Sequence, residues 1–328
     1  MEWHESDPLM LDGWHEFNRI KWGVRPLRLR FGADDGAGAR LDAVLYLDRR
    51  GRVFQPEENP YIPVAFHPDL TNPACRVEGQ WLRLAEQLAV EMRRLGTANS
   101  IDLPVDVVDG RPWLWAGFHV EVKYTYVIDL PFHPERMEKA ARSIARKALR
   151  AGYRCERTGR LADAHACLTA TGSRKGFRLS VSLRDLQLLR DLLGDECLRV
   201  YICYSSSGEP AAANVVLYRP GGMAVGWVGG IASAHLSSGA AQLLRVACLT
   251  DLAAAGATAI NLAGANIPGV ALAKSQFGGR LTPYLSVDGC GLKSVAHWLM
   301  NWWHPTHAPG MAAPAGRRVG RALRQSAS

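Results

Sequence analysis

Apolar residues recur along this chain at two periods, near 3.6 in some stretches and near 2 in others, which predicts a mixed α/β protein. Leu82, Leu84, Ala85, Leu88, Ala89, Met92 and Leu95 share one side of a helical wheel. They mark residues 81–95 as an amphipathic helix. A shorter helix is predicted over 12–20. Residues 27–31 and 41–47 read as strands, with the Gly-rich polar stretch 34–38 as the turn between them. Residues 57–63 form a proline-punctuated loop. Strands are predicted at 101–103 and 113–118. The branched and aromatic run 122–130 is a further strand, ended by Pro131.

Beyond Pro131 the pattern changes. Residues 134–151 predict a helix, with Pro134 and Glu135 in its first turn, Glu138 complementing the positive end, and Gly152 after the last turn. A second helix is predicted over 183–193. Strands follow at 198–204, 211–218 and 223–228, joined by turns at 205–210 and 219–222. Ser237-Ser238-Gly239 opens a long helix, 240–255, closed by Gly256. Then come a strand at 258–262, a helix at 268–277 ending at Gly278-Gly279, a strand at 281–287 and a Trp-rich helix at 292–303. The last stretch, 305–328, is rich in Ala, Pro, Gly and Arg and is expected to be a basic disordered tail. A three-strand meander leading into a helix that starts from a small-residue turn is a significant order. Free backbone N–H groups at such a helix start can hold a phosphate or a developing oxyanion.

Length and charge narrow the class. At 328 residues the chain is long enough for about two domains, and the composition break places the boundary near 130. The expected division is 1–130, 131–304 and the tail 305–328. The formal net charge of +8 favours anionic partners such as nucleic acid, nucleotide cofactors or acidic lipids. The acidic start, Met1-Glu2-Trp3-His4-Glu5, has neither a basic region nor an apolar core, so no signal peptide is expected. Polar residues interrupt every apolar run, so no membrane span is expected and the chain reads as cytoplasmic. Seven scattered cysteines without a C-x-x-C argue against a disulfide framework or a zinc site. The ten histidines have no metal spacing, and neither H-E-x-x-H nor a P-loop occurs. No metal site is expected.

Three stretches carry a family resemblance. The first is Tyr124-Thr125-Tyr126-Val127-Ile128-Asp129-Leu130 with the basic segment Arg142-Ser143-Ile144-Ala145-Arg146-Lys147-Ala148. The second is Gly208-Glu209-Pro210-Ala211-Ala212-Ala213, leading to Gly226-Trp227-Val228-Gly229-Gly230. The third is Asn261-Leu262-Ala263-Gly264-Ala265-Asn266, then Ala273-Lys274-Ser275-Gln276-Phe277-Gly278-Gly279. Together they resemble the Fem-like aminoacyltransferases and the related double-GNAT acyltransferases, most clearly over 124–287 and more loosely over 1–123. The resemblance implies an α/β (α+β) fold of two tandem GNAT-like domains, each a mixed, mostly antiparallel sheet flanked by helices. The first domain is degenerate. The resemblance also implies transfer of an amino acid from aminoacyl-tRNA to an amine acceptor, a peptidoglycan precursor or a peptide natural product, by a monomer with no permanently bound cofactor. The alternatives are an acyl-CoA-dependent N-acyltransferase and a non-catalytic RNA-binding module. Two departures stand out. There is no coiled-coil heptad stretch, and the segment nearest the coenzyme A signature, Leu236-Ser237-Ser238-Gly239-Ala240-Ala241, has Leu where a basic or amide residue belongs.

Lys274 is the candidate catalytic residue. A positive charge beside the donor carbonyl would stabilise its oxyanion; the plainer reading is a helix-end lysine favoured by the helix dipole. Phe277 and Gly278 are candidates for shaping the pocket, and Asn261 and Asn266 for orienting a substrate amide. Tyr126, Tyr204 and Trp227 are candidates for lining the cleft, although strand aromatics usually belong to a core. Lys139, Arg142, Arg146 and Arg150 fall at spacings of three and four on one helix face, with Lys175 beyond them, and form a candidate tRNA or phosphate grip. The Trp-rich helix 292–303 with the basic tail offers a weak membrane-surface contact. Asp129 or water would have to serve as general base.

Overall fold

The computed structural model describes residues 7–32, 38–176 and 179–289. The predicted Trp-rich helix, the basic tail and most of the predicted turn at 34–38 lie outside these residues.

The first half begins with helix α1 (Asp12–Trp22), a hairpin of strands β1 (Arg25–Gly32) and β2 (Arg40–Leu47), and a short strand β3 (Val64–His67). The order β1-β2-β3 makes a small antiparallel sheet. Helix α2 (Ala74–Leu95) buries Trp81, Leu84, Ala85, Leu88, Ala89 and Met92, the stripe its periodicity marks out. Together with Leu41, Leu45, Ile62 and Phe66 these residues form the first core. Of residues 113–118, expected as a strand, 113–117 instead hold the end of helix α3 (Arg111–Trp115) and a turn, and Phe118 opens the next strand. Pro112 near the helix start and Gly117 at φ +80° close a short helix that aromatic propensity alone misreads.

A second, eight-stranded sheet spans both halves of the chain. Its order is β4-β11-β5-β10-β9-β8-β7-β6, where β4 is Ile101–Asp102, β5 Phe118–Asp129, β6 Arg154–Arg157, β7 Leu198–Tyr204, β8 Pro210–Leu217, β9 Met223–Ile231, β10 Ala259–Asn261 and β11 Arg280–Gly289. Every neighbouring pair is antiparallel except β9 and β10. Strand β5, ahead of residue 130, pairs with β10 and β11 from the far side of it. The described residues all fall in one compact unit.

Helices cover both faces. On one face α5 (Leu161–Lys175) and α6 (Leu183–Cys197) pack with α1 over Val200, Val215 and Val225. Trp14 and Phe17 of α1 lie in that core against Trp227, with ring centroids 5.6 and 6.0 Å apart and planes perpendicular. On the other face α4 (Lys139–Arg150) and α7 (Ala240–Ala254) pack over Tyr201, Val216 and Ala224. The predicted helix 134–151 begins later than expected. Pro134–Arg136 is a separate 3-10 turn, and α4 starts at Lys139 after a Glu138 that makes no side-chain cap. Helix α5 gives almost no sequence signal. Its buried face is Leu161, Ala164, Cys167 and Leu168, and small residues contrast weakly with their polar neighbours.

Candidate functional site

The site grows from an interruption in the large sheet. Parallel pairing of β9 with β10 runs only from Met223↔Ala259 to Val225↔Asn261. Strand β9 continues to Ile231, still paired to β8, while the chain after Asn261 turns toward β5, where Leu262 N donates to Tyr126 O and Ala265 N to Tyr124 O. The two strands therefore diverge at Gly226, and among the described residues no strand pairs with that edge of β9 beyond it. A register shift between Val215 and Val216 of β8 accompanies the divergence.

Helix α8 (Pro268–Ser275) sends Lys274 back to this point. Its ammonium donates to the carbonyl oxygens of Leu262 (2.6 Å), Ala263 (2.7 Å) and Gly264 (2.5 Å). An ammonium has three protons, so the loop takes all of them. The loop is strained at Ala263, which has φ +52°, while the following Gly264 takes φ +73° without penalty. A left-handed conformation is unfavourable for alanine and persists where surrounding contacts impose it. Burial, then the charges of Arg245 and Lys175, bring the Lys274 pKa down to about 8; its carbonyl partners favour the protonated form and pull the other way.

Around this loop the remaining groups are largely engaged. Asn261 is buried, and its Oδ1 accepts from Thr125 Oγ1 (2.8 Å) and Ala263 N (2.9 Å). Asn266 is exposed, accepts from Tyr124 N (2.8 Å) and donates to Tyr284 Oη (3.0 Å). Phe277 is buried. Gly278 has φ +69°, and a Cβ there would lie 2.2 Å from the carbonyl oxygen of Arg136, so only glycine fits. Both line a cavity of about 270 Å³ with Asp129, Phe132, Arg136 and Arg280.

Helix α4 lies beside the start of α7. A Cβ on Gly239, the N-cap of α7, would meet the carbonyl oxygen of Ile144 at 2.6 Å, so the two helices touch there. Ala141, Ala145 and Ala148 face inward. Lys139, Arg142, Arg146 and Arg150 line an open groove of about 510 Å³ with Ser143 and Leu149. Residues 135–268 match the acetyltransferase (GNAT) domain family. This segment has the GNAT-like acyltransferase fold.

Among solved structures the chain is similar to FemX, at TM-score 0.61 and 14% identity, over 90% of this chain and 95% of that one. It is also similar to the C-terminal domain of a putative lysylphosphatidylglycerol synthetase from Agrobacterium fabrum, at TM-score 0.55 and 13% identity, over 84% and 88% of the two chains. A third similar structure is L-PGS from Bacillus licheniformis, at TM-score 0.50 and 15% identity, over 87% and 94%. At such identities the likeness is one of fold. No curated protein matches the sequence significantly.

At the divergence of β9 and β10 the structure brings Asn261, inside the matched segment, together with Lys274 and Phe277 just beyond its end, and Tyr126 of β5 lies beside them. Gly278 lies next to them on the cavity wall. Tyr204 and Trp227 lie elsewhere. Tyr204 closes the far end of β7, donating to Asp163 Oδ2 (2.8 Å) with Arg160 over its ring. Trp227 faces the α5 side, inside the aromatic cluster with Trp14 and Phe17, and its indole N–H donates to Glu58 O (2.7 Å). Lys175 ends α5, on the opposite face from α4, close enough to Lys274 to depress its pKa. Asp129 is exposed beside Arg280 (3.6 Å).

One group has no counterpart in the sequence reading. Arg245, on the inner side of α7, donates through Nη2 to Asn214 Oδ1 (3.3 Å) and lies over the Phe277 ring at 5.9 Å. Its Nη1 is shielded from solvent and has no hydrogen-bond partner. An arginine in an apolar helix could have been flagged in the sequence as an interruption of Leu243, Leu244, Val246 and Ala247. Nothing in the sequence shows which way it faces. Among the described residues no group of three His, Cys, Asp or Glu side chains is placed to hold a metal ion.

Proposed function

We propose that this protein is a cytoplasmic aminoacyl-tRNA-dependent aminoacyltransferase that forms an amide bond on an amine acceptor, such as a peptidoglycan precursor or a peptide natural product. The basic groove of α4 beside the start of α7 carries the proposal. Four cations on one face suit the repeating phosphates of a nucleic-acid backbone, and phosphate contacts position without reading sequence. The acceptor nitrogen attacks the ester carbonyl carbon of the aminoacyl-tRNA. The carbon–oxygen bond to the terminal ribose breaks, the ribose hydroxyl leaves, and the nitrogen loses a proton to water or to a carboxylate such as Asp129. Lys274 supplies positive charge near the carbonyl, releasing one loop oxygen to take up the developing oxyanion. Asn261, Asn266, Phe277 and Gly278 shape the acceptor side, and catalysis is positioning with electrostatics.

The second reading is an acyl-CoA-dependent N-acyltransferase. The family match to acetyltransferase domains favours it, as does the edge of β9 that pairs with no other described strand. Against it, the segment before α7 offers the exposed, apolar Leu236 where a pyrophosphate partner belongs, and α4 packs against Gly239.

The test offers purified protein mixed aminoacyl-tRNAs and, separately, acetyl-CoA, each with a panel of amines and small peptides, and follows products by mass spectrometry. Products from aminoacyl-tRNA alone support the proposal. Products from acetyl-CoA alone replace it with the second reading and make the α4 face a solvated surface.

A further inference from the structure

Arg245 is an unusual buried cation. Burying a charge is tolerated when it is paired, and leaving it unpaired is strongly unfavourable. Among the described residues no carboxylate forms an ion pair with Arg245. Among the described residues its side-chain hydrogen bond goes to the neutral amide of Asn214, it lies over the Phe277 ring, and Nη1 has no hydrogen-bond partner. Lys274 and Lys175 share the region, and Arg174, one residue before Lys175, donates through Nη1 to Ile231 O (3.0 Å) at the end of β9. Burial holds the Arg245 pKa below its usual value, and Arg245 in turn helps to depress that of Lys274. The divergence of β9 and β10 thus gathers positive charge, with no carboxylate paired to Arg245 among the described residues.

The geometry also leaves an approach. A Cβ on Gly226 would lie 3.8 Å from Arg245 Nη1, 3.5 Å from Asn261 O and 3.7 Å from Leu262 Cα. The missing side chain at 226 therefore leaves methyl-sized space between the guanidinium and the point where the strands part. Gly226 is partly exposed and Gly229 openly so, along the edge of β9 that pairs with no other described strand.

We propose that Arg245 anchors a carboxylate-binding subsite at the divergence of β9 and β10, and that one of the two substrates carries the carboxylate it binds. The proposal rests on this divergence being the transfer site. The carboxylate belongs either to the side chain of the transferred acyl group or to the acceptor; a guanidinium recognises both by the same bidentate chemistry.

The first experiment needs no turnover. Thermal unfolding of the full chain is followed with succinate and with succinamide at matched ionic strength. Wild type is expected to gain stability from succinate only, and Arg245→Met and Gly226→Ala to lose that gain. Gly226→Ala meets its neighbours at ordinary contact distances, so it keeps the fold while closing the approach. Without ligand, Arg245→Met is expected to melt higher than wild type, because it removes an unpaired buried charge; an arginine serving only structure would melt lower when replaced. A succinate response that is absent in wild type, or that survives in both variants, overturns the proposal.

The second experiment locates the carboxylate. Aspartyl- is compared with asparaginyl-tRNA, succinyl-CoA with butyryl-CoA, and acceptor peptides ending in a carboxylate with their amides. Arg245→Met is expected to raise KM for the carboxylate member of one pair by roughly ten- to a hundredfold, leaving its neutral partner unchanged. Equal effects on both members of every pair overturn the proposal. A carboxylate preference seen only with coenzyme A donors retains the subsite and refutes the tRNA reading, so the two failures are distinguishable.

Discussion

Lys274 and Arg245 interact electrostatically and differ in how their charge is met. Lys274 spends all three protons on a strained loop, whereas Arg245 keeps an enclosed nitrogen unpaired. The Lys274 pKa of about 8 lies below the free value of 10.5. Between those two values the folded chain holds fewer protons than the unfolded chain, so the stability this residue contributes rises with pH across that window. Urea titrations of wild type and Lys274→Met at pH 7 and pH 10 should therefore show the difference between them moving in favour of wild type at the higher pH. The same variant is expected to lose transfer by roughly 10²–10³-fold while still folding; full activity would remove Lys274 from the chemistry. Gly278→Ala meets a backbone oxygen and a left-handed φ together, and is expected to destabilise by roughly 2 kcal/mol or more in chemical unfolding. The lysine and the glycine were both legible in the Lys-x-x-Phe-Gly-Gly pattern. The carbonyl partners of Lys274 were not, because they come from a loop ten to twelve residues earlier.

At the scale of elements, the clearest sequence signals were those in which burial and periodicity agree. The meander β7-β8-β9, helix α7 and strands β10 and β11 lie where the pattern places them, and helix α2 covers the predicted 81–95 but begins earlier, at Ala74. Where the signal failed, a local feature overrode it: a proline and a glycine in α3, and small buried residues in α5. Helix α4 joins a legible pattern to a spatial result. The spacing of Lys139, Arg142, Arg146 and Arg150 predicts one face, and only the packing against α7 aims that face at the start of another helix. Reversing two of these charges, Arg142→Glu with Arg146→Glu, should leave helical content unchanged by circular dichroism. It should weaken tRNA binding and flatten its salt dependence by about two charges' worth. Unchanged affinity would return this face to solvent.

For the whole molecule the decisive feature is that the large sheet is continuous across residue 130. Strand β5 is central in it, and α1 from the first half fills the core under β9 with Trp14 and Phe17. Both halves are therefore expected to melt in one cooperative transition, seen as coincident loss of circular dichroism and tryptophan fluorescence. Trp14→Ala, far in sequence from the GNAT segment, should destabilise by about 3–5 kcal/mol, since Trp14 is fully buried against Trp227. The sequence by itself determined most element types, the GNAT-like acyltransferase fold and the Lys-x-x-Phe-Gly-Gly motif that singles out Lys274, because these depend on local periodicity, turn chemistry and short-range pattern. The tertiary structure alone decided where two strands part, that Trp227 is core, that Lys274 grips a loop, and that Arg245 faces inward without an anion. Those facts depend on which distant segments share a face, and neither spacing nor composition encodes that.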